Sequence, residues 1–187
     1  DFWDVGLWMA NTWRDFKVVF NVGYLEDTEG NGLSSVFSIN ANGFCCQGAN
    51  FSEFKGSAGV MYVPFGLFAD GAWVHREFDR SPITGAQLDD FDYWTVRAGL
   101  VRKDLMPLGE TTFWGFYENA QGAGVTVGTN DTREMDVWGF CVNQAIPAAA
   151  MDLYLVYKNF EADVVTGGVA QSLDDIDIVY TGAIIRF

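Results

Sequence analysis

The 187 residues include one histidine, three cysteines and four prolines. A single histidine, His75, and no CxxC pair leave too few ligands for a zinc or haem site. Cys45, Cys46 and Cys141 cannot make a disulfide framework, and two of them are adjacent. They read as small apolar side chains, buried or facing lipid. Basic residues are also scarce, 11 against 25 acids, for a formal net charge of -14. The positive footprint that nucleic acid requires is therefore missing. No apolar run reaches the 18 or so residues of a membrane helix. The chain opens Asp1-Phe2-Trp3-Asp4, with neither the basic start nor the apolar stretch of a signal peptide.

Large apolar side chains, by contrast, are abundant. Hydrophobic residues make up 49% and aromatics 16%, which excludes a disordered chain. Residues 1–187 suffice for one domain. Strict alternation is the dominant pattern and predicts strands. Phe16, Val18, Phe20, Val22 and Tyr24 share one face, against Lys17, Val19, Asn21 and Gly23. Trp94, Val96, Ala98 and Leu100 oppose Tyr93, Thr95, Arg97, Gly99 and Lys103. Met151, Leu153, Leu155 and Tyr157 oppose Asp152, Tyr154, Val156 and Lys158. Ten such runs are expected: 2–10, 16–25, 34–44, 55–63, 67–76, 92–103, 111–119, 135–145, 151–160 and 175–187. No segment reads as a helix.

The connections alternate in length over the last two-thirds of the chain. Residues 63–66, 104–110 and 146–150 are short; 77–91, 120–134 and 161–174 are long and polar. Pro64, Pro107 and Pro147 fall in the short ones, where a missing N–H costs nothing. Runs of about ten residues with turns at one end and loops at the other predict an all-β, transmembrane antiparallel up-and-down barrel. Trp3, Trp8, Tyr24, Tyr62, Trp73, Trp94 and Tyr157 are candidates for its interfacial aromatics. A soluble sandwich or lipocalin-like barrel also alternates, but its loops lack this two-ended asymmetry.

The last strand ends Tyr180-Thr181-Gly182-Ala183-Ile184-Ile185-Arg186-Phe187. Tyr180, Gly182, Ile185 and Phe187 resemble the assembly signal of bacterial outer-membrane barrels. Gly182 would permit a twisted backbone, with Ile185 and Phe187 on the lipid face. The segment 54–187, chiefly Met151 to Lys158 and the closing strand, resembles the C-terminal part of Gram-negative general porins of the alphaproteobacterial kind. The resemblance implies an outer-membrane channel for small hydrophilic solutes, partners in lipid, lipopolysaccharide and the barrel-assembly machinery, and a homotrimer as the common assembly. Such porins carry about sixteen strands. Ten strands therefore make either a small barrel or the C-terminal portion of a larger one, and the start inside a strand-like run favours the latter.

Parity sends Lys17, Arg76, Arg97, Lys103 and Lys158 toward the lumen, because a charge facing lipid costs about 2–4 kcal/mol at the midplane. Asp70, Glu118 and Asp152 are the acids they would face, and the set Lys17, Asp70, Arg76, Arg97, Lys103, Asp152 and Lys158 is the expected pore lining. The alternative is that these charges pair inside a narrow barrel. No cofactor is required, although acidic exterior loops could hold Ca²⁺ or Mg²⁺. The stretch 27–32 superficially matches a calcium loop but has Ser38 at the bidentate position and no flanking helices. Enzyme chemistry is not expected: His75 has Asp79 and Ser81 nearby in sequence, yet shares parity with Trp73 and reads as an interfacial aromatic. The rivals to a porin are a side-chain-filled structural or adhesion barrel and a soluble carbohydrate-binding sandwich.

Overall fold

The computed structural model describes residues 2–27, 50–79, 89–122, 132–171 and 173–186. They form ten strands: β1 (Phe2–Trp13), β2 (Phe16–Asp27), β3 (Phe51–Tyr62), β4 (Leu67–Phe78), β5 (Phe91–Met106), β6 (Gly109–Gln121), β7 (Thr132–Ile146), β8 (Met151–Thr166), β9 (Val169–Gln171) and β10 (Ile176–Ile185). Among the described residues there is no α-helix, only a single 3-10 turn at Pro147–Ala149. The expected run 34–44 lies outside the described residues. The other nine runs each correspond to a strand, and the short β9 is an addition.

All pairings are antiparallel, in the order β1-β2-β3-β4-β5-β6-β7-β8-β10, with β9 also against β8. Because β9 pairs with the far end of β8 and β10 with its first ten residues, β9 and β10 lie on the same flank of β8. The wall therefore has nine staves. Eight antiparallel steps separate β1 from β10, so these two strands run in the same direction. Among the described residues the sheet is not closed: β1 and β10 each pair along one edge only.

Strands β1 to β8, of 12 to 16 residues, exceed the ten or so expected, while β10 has ten. Glu77, Glu161 and Asp163, read from the sequence as loop residues, continue the ladders of β4 and β8. The loop alternation runs through the whole chain. Residues 14–15, 63–66, 107–108 and 147–150 make short turns, while 28–50, 79–90, 122–131 and 167–175 connect the opposite ends. Gly66 shows why the turns need their sequence. Its φ is +71°, and a Cβ would run into the Val101 carbonyl, which accepts no displacement because Val101 N–H donates to Gly66 O at 2.8 Å.

Candidate functional site: a two-faced wall

Cross-strand register fixes which residues share a face, because directly opposed residues point the same way. On one face, every strand from β1 to β8 contributes one aromatic to a continuous row: Trp3, Tyr24, Phe54, Trp73, Trp94, Tyr117, Trp138 and Tyr157. Ring centroids are 5.3 Å apart for Trp3–Tyr24, 5.7 Å for Phe54–Trp73, 5.1 Å for Trp94–Tyr117 and 5.4 Å for Trp138–Tyr157. Tyr24 opposes Phe54, Trp73 opposes Trp94, and Tyr117 opposes Trp138, which links the pairs. Five of the seven aromatics picked from the sequence are in this row. Trp8 is a correction: it pairs with Asn21 and points to the other face. Tyr62 belongs to the short-turn end, with Phe16 at 5.0 Å and Phe65 at 5.6 Å.

Toward the long loops the same face turns polar within one position of the row. His75 stacks on Trp73 and meets Asp92 at 2.9 Å. The Asn119 amide donates to Glu134 and Asp136, and the Tyr117 hydroxyl also donates to Asp136. Asp177 accepts from the Tyr157 hydroxyl at 2.7 Å and from Asn159 at 3.0 Å. Each tyrosine of the row here thus keeps its ring over the apolar side and its hydroxyl on a carboxylate. Toward the short turns the face is apolar: Val5, Leu7 and Met9; Val22, Phe20 and Val18; Ala58 and Val60; Ala69 and Leu67; Val96, Ala98 and Leu100; Phe113; Phe140 and Val142; Leu155 and Leu153. Among the described residues no charged side chain stands between these; closer to the turns the same face carries Arg102 on β5, Thr111 on β6 and Gln144 on β7.

The opposite face lines a trough of about 1190 Å³ that touches every stave, from Ala10 on β1 to Tyr180 on β10. Lys17, Asp70, Arg97 and Lys158 from the expected set all line it, with Glu118. Arg97 closes on Asp70 through its Nε at 2.9 Å and a second nitrogen at 2.9 Å. The Lys158 ammonium stands 5.0 Å from the Phe116 ring centre. Arg76 shares this face but belongs to its long-loop end, where it donates to Glu53 at 3.0 Å and lies 4.5 Å over Phe51. Phe51 and Phe78 are buried there with Leu25 and Phe91 beside them. Asp152 is at the short-turn end, buried and bonded by Arg186.

Pairing between β5 and β6 shifts between Arg102 and Met106, and within that stretch the exposed Lys103 ammonium stands 3.9 Å from Glu110. Of the terminal motif, Tyr180 and Gly182 face the trough side and Ile185 the apolar side; Phe187, like Cys45 and Cys46, lies outside the described residues. Cys141 is buried on the trough side. Gly182 has no unusual φ. Its small size is needed because a Cβ would strike the Tyr154 ring. Among the described residues no group of three His, Cys, Asp or Glu side chains could hold a metal ion. Tyr93 is on the trough side with Thr95, as the sequence placed it; Trp114 and Phe116 were not singled out, although the parity of Glu118 would have placed them.

Compared with known proteins, the chain matches no protein-family model, no curated protein and no solved structure.

Proposed function

We propose that this wall is part of a transmembrane β-barrel that acts as a porin-like channel, passing small hydrophilic solutes across a bacterial outer membrane. The observation that carries the reading is the separation of faces. One is an apolar band bordered by an aromatic row and then by hydrogen-bonded carboxylates; the other bears Lys17, Asp70, Arg97, Glu118 and Lys158 around a trough. Bilayers impose this arrangement, because hydrocarbon excludes charge while the interface favours Trp and Tyr. Strand length agrees: twelve residues span about 40 Å and, tilted near 45°, about 28 Å of a hydrocarbon core of ~30 Å.

A sheet edge cannot face lipid with its N–H and C=O groups unpaired. The reading therefore requires closure between β1 and β10. Since these strands run in the same direction, an all-antiparallel closure takes an odd number of further strands and gives an even total, the rule for bacterial barrels. Lipid and lipopolysaccharide would contact the apolar face, the assembly machinery would recognise the terminal strand, and trimerisation would follow the family resemblance. No catalytic role is proposed.

Conductance in planar bilayers tests the channel. Reproducible ohmic steps from the folded protein are expected. A membrane-inserted β-protein that never conducts would overturn the pore and favour a side-chain-filled structural barrel. That second reading draws on the apolar trough-side residues Val137, Cys141, Val156, Phe160 and Ile178 of β7, β8 and β10.

A further inference from the structure

Three rings lie down on the trough side of the wall. Phe68 opposes Gly99, Phe116 opposes Gly139 and Tyr154 opposes Gly182. In each pair the ring occupies the place of the missing side chain. A Cβ on the glycine would stand 2.6 Å from Phe68 Cζ, 2.7 Å from Phe116 Cζ or 2.6 Å from Tyr154 Cζ. Covering a strand glycine with a cross-strand ring is a known stabilising device. It also has a geometric effect: a ring flattened against the wall turns a broad π face inward. Trp114, opposite Gly99 from the other neighbour, and Tyr93 extend this surface.

Among the rings stand hydrogen-bonding groups: Ser57, Asp70, Thr95, Arg97 and Glu118. Their charges nearly balance. Lys17, Arg97 and Lys158 oppose Asp70 and Glu118, and Arg97 already neutralises Asp70. Little net field remains to select an ion, while donors and acceptors are plentiful. At about 1190 Å³ the trough exceeds the roughly 300–1,000 Å³ of a pocket for one drug-sized ligand. Apolar platforms, a hydrogen-bonding rim with nearly balanced charge and a volume beyond that of a single small ligand fit one ligand class: a chain of sugar rings, each with apolar faces and a perimeter of hydroxyls.

We propose that the trough is a binding track for a neutral oligosaccharide, its sugar rings stacking on Phe68, Trp114 and Phe116 and its hydroxyls bonding to Asp70, Arg97 and Glu118. The Lys158 ammonium over Phe116 is then a polar placeholder that the sugar displaces. This deepens the channel reading, which supplies the ligand's route, but binding itself is measurable without conduction.

Titration calorimetry of the detergent-folded protein with maltoheptaose, cellohexaose and isomaltoheptaose tests it. Saturable binding of at least one is expected, weakened about tenfold or more by Trp114→Ala and severalfold by Glu118→Gln, which keeps side-chain volume. Trp13→Ala, on the apolar face at the short-turn end, should bind like the parent. No binding of any of the three at 10 mM, or full affinity in both trough variants, would overturn the proposal. Bilayer recordings separate the two readings. Conducting channels whose current no sugar reduces would sink the track and leave the pore, whereas sugar binding without conductance would sink the pore and leave the track.

Discussion

At the scale of single residues, the trough side is shaped by which glycines sit under rings. A Cβ at Gly139 would collide with the Tyr157 carbonyl as well as with Phe116, whereas at Gly115 the nearest atom is an ordinary 3.7 Å away. Gly139→Ala should therefore cost about 1–3 kcal/mol by overpacking, and Gly115→Ala should stay within about 0.5 kcal/mol of the parent. Urea unfolding in lipid vesicles would measure both, and equal effects would contradict the ring-on-glycine packing. The Asp70–Arg97 pair gives a second prediction. Arg97→Ala leaves the Asp70 carboxylate uncompensated in the trough, so the reversal potential in a salt gradient should move toward cation preference, and Asp70→Asn should move it the other way. This scale was the least legible in the sequence. Gly182 was read as a twisting point because its partner, Tyr154, is 28 positions away and is revealed only by register.

At the scale of elements, alternation carried nearly all of the information. The faces assigned to β2, β5 and β8 from the sequence are those observed, since parity survives any uncertainty about where a strand ends. The ends themselves were misread. Glu77, Glu161 and Asp163 signalled loops, yet these positions extend the ladders past the aromatic row, where carboxylates continue a strand without facing the apolar band. The face assignment makes a sharp prediction. Ala98 lies in the apolar band and Ala72 lines the trough. Ala98→Arg should destabilise the vesicle-inserted protein by about 2–4 kcal/mol, and Ala72→Arg by far less. Similar losses for both would mean that neither face meets lipid.

At the scale of the whole molecule, the sequence foretold an up-and-down antiparallel wall with turns at one end and loops at the other. It also predicted a barrel, whereas among the described residues the wall stays open at β1 and β10, since closure depends on what lies beside those two strands. Amide hydrogen exchange addresses this directly. If further strands complete a barrel in the bilayer, the amides on the outer edges of β1 and β10 should be protected like those of β4 to β7. Rapid exchange confined to those two edges would mean that the sheet stays open. The carboxylates gathered beyond the aromatic row have a separate consequence. In a bilayer, turning the molecule over would drag Asp92, Glu134, Asp136 and Asp177 through hydrocarbon together. Once inserted, a population would therefore keep a single orientation for as long as the membrane lasts.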